Sequence, residues 1–195
     1  PEYLRKKDKF LHGFQIWIGL PKALEQAEPS FFHIGKEEIP HWEQNGARYQ
    51  LIAGELKDIK SPVPVHSPLY FLEIKTTTSQ KINIGEQLYG EVGMYVLEGK
   101  VNVEGNTYES KQLLVAKNAS LCEFETMGAT TLYLFGGEAF DEERFMFWNF
   151  VNSDRSIIEK AKENWKQQNL NAFPKIPGDD QDYVPLPEPK KFKSK

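Results

Sequence analysis

The sequence predicts an all-β fold, an antiparallel sandwich or barrel followed by one helix. Short apolar runs recur at close spacing along its 195 residues, and turns rich in glycine and proline separate them. The 14 Gly and 12 Pro suit such a turn-rich architecture. A single segment near the C-terminus has helical periodicity. These observations favour a jelly roll or barrel that covers roughly residues 31–150.

The predicted strands follow one another along the chain. The first spans residues 12–19, where Phe14, Ile16 and Ile18 share one face by the two-residue period of a strand. Others are expected at 31–34, 49–53, 69–75, 81–84, 88–103, 113–116, 121–126 and 131–135. The segment 59–66 contains two prolines, so it can form only an edge strand or an extended connection.

The C-terminal part predicts one helix and a Pro-rich tail. Ser156 and Glu159 match a capping box, which predicts a helix over about 156–168. An apolar stripe at helical spacing supports it, formed by Ile157, Ile158, Ala161 and Trp165. The tail after Leu170 carries five prolines, too many for regular structure. Its segment 183–187 either docks in extended form on the body or serves as a polyproline ligand.

Composition bounds the classes of partner. A net charge of −4 and a pI near 5.7 give no basic footprint, so direct nucleic-acid binding is not expected. No apolar run approaches the roughly 18 residues of a membrane span. Cys122 is the sole cysteine, which favours a reducing compartment and a cytoplasmic location. We interpret it as a buried structural thiol, because no histidine accompanies it as in a nucleophilic site.

The residues alone indicate no catalytic constellation. The four histidines, His12, His33, His41 and His66, form no closely spaced pair of the kind that binds a metal. No nucleophile-elbow or phosphate-loop motif occurs. The sequence therefore assigns no catalytic residue and no metal ligand.

Several stretches, in order, carry a family resemblance. They are residues 12–21 (HGFQIWIGLP), 28–29 with 37–40, 51–55 (LIAGE), 135–139 (FGGEA) running to 147–151 (FWNFV), and 183–187 (YVPLP). The ordered set resembles the pirin family of bicupin proteins across nearly the whole chain. The resemblance implies a cupin fold, a double-stranded β-helix or jelly-roll barrel, with one C-terminal helix.

The resemblance also implies a domain organisation. Family members have two cupin barrels, and the N-terminal barrel holds one Fe(II)-like metal on three histidines and a glutamate. Pro1 would lie just past the last of these ligands, although a trimmed terminus would look similar. Residues 1–30 are then the last strand region of the N-terminal cupin, 31–150 the C-terminal cupin without metal ligands, and 151–195 the helix and tail. No cofactor is expected in this chain.

The second barrel should keep the shape of a metal site without its ligands. Residues 91–99 read as a barrel strand that enters a tight glycine turn. By the family pattern, the ligand positions before and on this strand hold Gly85, Gln87 and Glu91. An amide is a poor ligand for iron or copper, and one carboxylate cannot hold a transition metal alone. We interpret Glu91 as a solvated strand residue.

Two functions remain open at this stage. Intact pirin-family members are linked to quercetin 2,3-dioxygenase activity and to regulatory protein partners. In the first reading, Gln15 and Trp17 are candidate pocket-wall residues, with Gln15 placed to hydrogen-bond a metal ligand. In the second, the chain is a non-enzymatic cupin module for protein–protein interaction or transcriptional regulation. In either case the first strand should pair with its own N-terminal segment or with another chain.

Overall fold

The computed structural model describes residues 8, 12–84, 87–116, 121–178 and 183–188. It divides into two compact units, one of residues 27–140 and one that joins 1–26 to 141–195. The strands in the described ranges are β1 (His41–Gln44), β2 (Ala47–Leu56), β3 (Ile59–Lys60), β4 (Leu69–Thr76), β5 (Gln80–Asn83), β6 (Glu91–Glu98), β7 (Lys100–Val103), β8 (Asn106–Glu109), β9 (Leu113–Ala116), β10 (Glu123–Thr126), β11 (Thr130–Gly137), β12 (Phe145–Phe147) and β13 (Phe150–Asn152). Helix α1 spans Arg155–Lys166.

Unit 27–140 is a barrel of two antiparallel sheets. The larger has the order β1-β2-β4-β11-β6-β9, with β3 paired to β2 alone, and the smaller has the order β5-β10-β7-β8. Strand β11 lies within the larger sheet, where it pairs along its whole length with β4 and from Thr131 onward with β6. The all-β architecture predicted from strand spacing is confirmed. The predicted barrel range ended at 150, and residues 141–150 lie in the other unit.

Alternation along the strands forms the barrel core. Inward positions are almost completely buried, as for Leu72 and Ile74 on β4 and Leu132 and Leu134 on β11. They belong to one cluster that also takes in side chains of the smaller sheet. Because each strand has one inward face, the two-residue period sufficed to predict these elements.

Tight turns join the strands. Asn45 and Gly46 between β1 and β2, and Glu104 and Gly105 between β7 and β8, all have positive φ. Two successive positive φ values are typical of two-residue hairpin turns, whose twist matches that of the strands. The segment 59–66 behaves as predicted, since β3 is short, pairs with β2 alone and leads into irregular chain.

Two predicted strands are wrong. Residues 12–20 and 31–34 belong to none of the strands in the described chain. A strand needs a neighbour for its ladder hydrogen bonds, and an alternating pattern does not supply one. In residues 12–20 the apolar side chains stay exposed: 45% for Ile16, 54% for Trp17 and 56% for Ile18. The apolar pattern is present, but none of the described strands pairs with this segment.

The helix is confirmed, but its cap was assigned to the wrong residue. The N-cap is Asp154, whose carboxylate accepts a hydrogen bond of 2.8 Å from the backbone N–H of Ser156. Ser156 is therefore inside the first turn, and the capping box with Glu159 does not form. A carboxylate both caps the free N–H groups and complements the positive end of the helix dipole, so the helix begins one residue earlier.

Trp165 of α1 is the centre of an aromatic cluster in the C-terminal part of its unit. Its indole Nε1 donates a hydrogen bond of 2.8 Å to the carbonyl of Val184 in the tail. Its ring lies 5.2–6.4 Å from four other aromatic rings, those of Trp148, Phe150, Phe173 and Tyr183. Tyr183 and Val184 thus dock on the helix, which favours packing of the tail over its use as a polyproline ligand. No helix of the described residues is long and apolar enough to cross a membrane.

A buried ion pair fixes residues 20–25 in the same unit. Arg144 Nε lies 3.1 Å from Glu25 Oε1, and both side chains are largely shielded from water. The guanidinium also donates to the carbonyl of Leu20, and Glu25 accepts from the backbone N–H and the hydroxyl of Ser153. Buried charges are costly unless their hydrogen-bonding capacity is filled. Here that capacity is filled by groups from three separate segments.

Two threonine hydroxyls connect the sheets of the barrel at one end. Thr76, the last residue of β4, and Thr126, the last residue of β10, are hydrogen-bonded at 3.1 Å between their hydroxyl oxygens. Thr76 also donates to the carbonyl of Gly128, and Thr126 accepts from the backbone N–H of Gln80. Thr126 is fully buried, so each of these groups depends on the network in place of water.

Replacing Thr126 with valine should lower the free energy of unfolding by about 1–3 kcal/mol, because valine keeps the shape but leaves the Gln80 N–H without its acceptor. Urea unfolding of both proteins measures the difference. The matched control is Thr107→Val on exposed β8, expected to change stability by less than about 0.5 kcal/mol. Equal stability of the Thr126→Val protein and the unsubstituted chain would contradict the assigned role of the network.

Candidate functional site

A cleft of about 720 Å³ opens at the other end of the barrel. It lies where β2 and β3 turn, where β4 begins and where the chain leads from β5 into β6. Its apolar wall is formed by Val65, Pro68, Leu69 and Ile84. Its polar lining is formed by Glu55, Lys57, Lys60, Ser67, Gln87 and Tyr89. A volume of this size is typical of small-molecule sites.

A glycine lets β2 and β4 approach closely beside the cleft. Gly54 has a φ of +82°, and a Cβ placed there would collide with the backbone carbonyl of Leu69. The register of β2 against β4 shifts between Leu51 and Ala53, just before this point. The shift and the glycine together let the two strands approach closely and turn the end of β2 toward the cleft.

Tyr89 is positioned by Tyr70 beneath it. The Tyr70 hydroxyl donates to the backbone carbonyl of Tyr89 at 3.3 Å, and the two rings meet edge to face at 5.2 Å. Burial raises the pKa of the Tyr89 phenol, and the charges of Glu138 and Glu55 raise it further. Tyr89 is therefore a protonated hydrogen-bond donor at neutral pH.

Comparison with known proteins identifies the family. The family model for the pirin C-terminal cupin domain matches residues 71–171. The chain belongs to the pirin family. A pirin-like protein of Caulobacter vibrioides is 35% identical over 189 residues, which cover 96% of this chain and 64% of that protein. Pirin-1 of Arabidopsis thaliana is 30% identical over 83% of this chain and 58% of its own length.

A solved structure supports the same relationship. The chain matches the crystal structure of a quercetin 2,3-dioxygenase from Acinetobacter baumannii with a TM-score of 0.77 and 27% identity, over 91% of this chain and 59% of that one. The predicted pirin resemblance and the predicted cupin jelly-roll fold are thereby confirmed. The chain spans about 58–64% of the length of these relatives.

The predicted ligand positions of this pirin barrel end up in different surroundings. Gln87 is half-buried and lines the cleft. Glu91 is the exposed first residue of β6, paired with Gly137 of β11, as expected of a solvated strand residue. Gly85 lies outside the described residues. No group of three or more His, Cys, Asp or Glu side chains that could hold a metal occurs in the described chain.

The donor set of the cleft does not fit a transition metal. Of the predicted ligand positions, only Gln87 lines the cleft, and its side chain is an amide. The four histidines are all exposed, and in the part of the chain that is described they belong to no metal-binding cluster. Cys122 is half-buried and packs against the barrel core, as a structural thiol would. We therefore derive no chemical step through a metal in this barrel.

Gln15 and Trp17, the predicted pocket-wall residues, lie in the unit that contains 1–26. Both side chains are exposed, and neither is held in a strand. Their suggested role beside a metal site stays a prediction.

The sequence predicted little of the cleft. Of its polar lining, Gln87 was a candidate site residue, whereas Tyr89, Lys57 and Lys60 were not. These residues come from loops and strand ends, which have no periodic pattern. One signal was present: Gly54 interrupts a strand shortly before a proline-containing connection, and an isolated glycine in a strand often marks a close backbone approach.

Buried tyrosines should make this barrel sensitive to alkali. Burial raises the pKa of Tyr70 and of Tyr133, and a hydrogen bond of 2.8 Å to the Glu73 carboxylate raises that of Tyr133 further. A raised folded-state pKa contributes stability that is complete below the unfolded value of about 10 and is lost as the pH climbs above it. The tyrosine contribution to the free energy of unfolding, measured with urea, should thus stay constant up to about pH 9. Above about pH 10 the free energy of unfolding should fall.

Two observations check this expectation. Tyrosinate absorbance should appear together with unfolding, and Tyr70→Phe and Tyr133→Phe should each make the decline with pH shallower. Unfolding free energies that stay level or rise above pH 10, or phenylalanine variants with an unchanged slope, would contradict it.

Proposed function

We propose that this chain provides the metal-free second cupin of a pirin-type bicupin, and that the intact protein is a quercetin 2,3-dioxygenase-type enzyme. The observation that carries the metal-free part of the proposal is Gln87, an amide that lines the cleft at a position where the family pattern places a metal ligand. The match of the pirin C-terminal cupin model and the likeness to a solved quercetin 2,3-dioxygenase support it.

The proposal divides the work between two barrels. Flavonol dioxygenation needs a metal with open coordination positions, and the described residues of this barrel do not offer a ligand set for one. In the proposed protein the family's N-terminal cupin holds an Fe(II)-like metal. This barrel then contributes a stable packing partner and a separate cleft. By itself, the chain should show no flavonol turnover. We further propose a cytoplasmic location, which the lone cysteine favours.

Metal loading tests the proposal directly. The purified, tag-free chain is exposed to Fe(II), Mn(II), Ni(II) or Cu(II), and bound metal and quercetin consumption are measured. We expect less than one metal per chain and no turnover, because Gln87 and Glu91 cannot form a site. The Acinetobacter baumannii quercetin 2,3-dioxygenase in the same assay is the positive control. Stoichiometric metal with turnover that Glu91→Gln or Gln87→Leu abolishes would refute the proposal.

A second candidate is a non-enzymatic module that binds a protein partner. Ile16, Trp17 and Ile18 expose apolar side chains in consecutive positions, and such patches commonly mark interaction sites. The proposed partner is the protein's own N-terminal segment or another chain, with a regulatory protein as the wider alternative. Pairing with an added strand would also fill the backbone hydrogen bonds of this segment.

Sedimentation velocity tests the partner proposal. We expect the chain to sediment above its 22.5 kDa monomer mass, and the double variant Trp17→Ser/Ile18→Ser to return to a monomer, because the apolar contact is removed. Met146→Ser, at a side chain that is 72% exposed elsewhere, is the control and should leave association unchanged. A clean monomer of the unsubstituted chain would count against association through this segment.

A further inference from the structure

The polar lining of the barrel cleft is rich in hydrogen-bond donors. The ammonium groups of Lys57 and Lys60, the amide of Gln87 and the protonated phenol of Tyr89 all donate, whereas Glu55 supplies the one carboxylate of the lining. Within the described chain, none of these five side chains makes a hydrogen bond or ion pair with the protein. Their donors are thus available to a ligand.

The charges of the lining do not cancel. Glu55 on β2 is directly opposite Lys60 on β3 in the strand register, so these two residues offset each other. Lys57, on the turn between the two strands, has no acidic counterpart among the lining residues. Glu138 acts on the phenol of Tyr89 but does not line the cleft. The cleft therefore favours a ligand that carries one negative charge and accepts several hydrogen bonds.

The remaining wall is apolar and suited to a ring. Ile84 and Leu69 contribute buried side chains to this wall, and Val65 and the half-buried Tyr89 also line the cleft. Small-molecule sites commonly combine such a wall with a few convergent polar groups. A flat aromatic ring buries apolar area here and meets the Tyr89 ring, while a carboxylate on it accepts from the lysines.

We propose that the cleft binds a small aromatic carboxylate, with its ring on the Ile84–Leu69–Tyr89 wall and its carboxylate on Lys57 and Gln87. The site needs no metal and is built entirely from residues of unit 27–140. The proposal is independent of the dioxygenase proposal, because binding is measured without turnover and each can fail while the other holds.

Calorimetric titration of the full chain with benzoate tests the site. We expect saturable binding, weakened about tenfold by Lys57→Met and by Gln87→Leu, since each removes a donor to a charged acceptor. Benzamide, which has the same shape without the charge, should bind about tenfold more weakly than benzoate. The control is Lys100→Met on β7, whose ammonium pairs with Glu109 instead, and its benzoate affinity should equal that of the unsubstituted chain.

Amide chemical shifts locate the bound ligand. Benzoate should perturb residues around 54–69, Ile84 and 87–89 and leave the Thr76–Thr126 end unchanged. The proposal is overturned if a titration up to about 10 mM benzoate shows no binding, because a Kd above that concentration means a negligible affinity. It is equally overturned if benzamide binds as tightly, or if Lys100→Met weakens binding as much as Lys57→Met does.

Discussion

The buried hydrogen bond between Thr76 and Thr126 fastens the two sheets of the barrel together at one end. It joins the last residue of a strand in the larger sheet to the last residue of a strand in the smaller one. Strand β4 then runs for eight residues, about 23 Å, from this closed end to Leu69 at the cleft. Strand β11 starts near the same closed end and finishes at Gly137, opposite Leu69. One end therefore has its polar groups satisfied internally, and the other leaves several side-chain donors open.

This asymmetry leaves an open mouth, the cleft, at one end of the cupin barrel. The shape of the mouth depends on backbone features, namely the shift in register near Ala53 and the close approach at Gly54. A metal site depends instead on a few side chains. In the ligand pattern predicted from the sequence, Gln87 stands at one such position, and its amide lines the cleft. A cleft of this kind can recognise a ligand by hydrogen bonds and apolar contact.

The second unit is held together in a different way. It has a two-stranded hairpin in place of a large sheet, so aromatic contacts around Trp165 and the buried Arg144–Glu25 pair carry much of its cohesion. The ion pair also forms hydrogen bonds with Leu20 and Ser153, so it links segments that are distant in the sequence. Removal of either charge would leave the other buried without its ion-pair partner. The side chains of residues 16–18 stay exposed in the same unit.

The sequence by itself determined the features that neighbouring residues encode. The two-residue period located strands such as β2, β4, β6 and β11, the helical period located α1, and the ordered motifs indicated the pirin family. Tertiary structure decided the rest. Residues 12–20 have a strand pattern but belong to no described sheet, because pairing needs a neighbour that the local sequence does not specify.

The helix cap and the cleft show the same limit. Asp154 and Ser156 are both acceptable caps by residue type, and the backbone conformation at the helix start selected Asp154. Lys57, Leu69, Ile84 and Tyr89 are far apart along the chain and share no motif, so only the closing of the barrel brings them around one space. Periodicity is a local property that the sequence displays, whereas a site made of distant side chains exists only once the strands have paired.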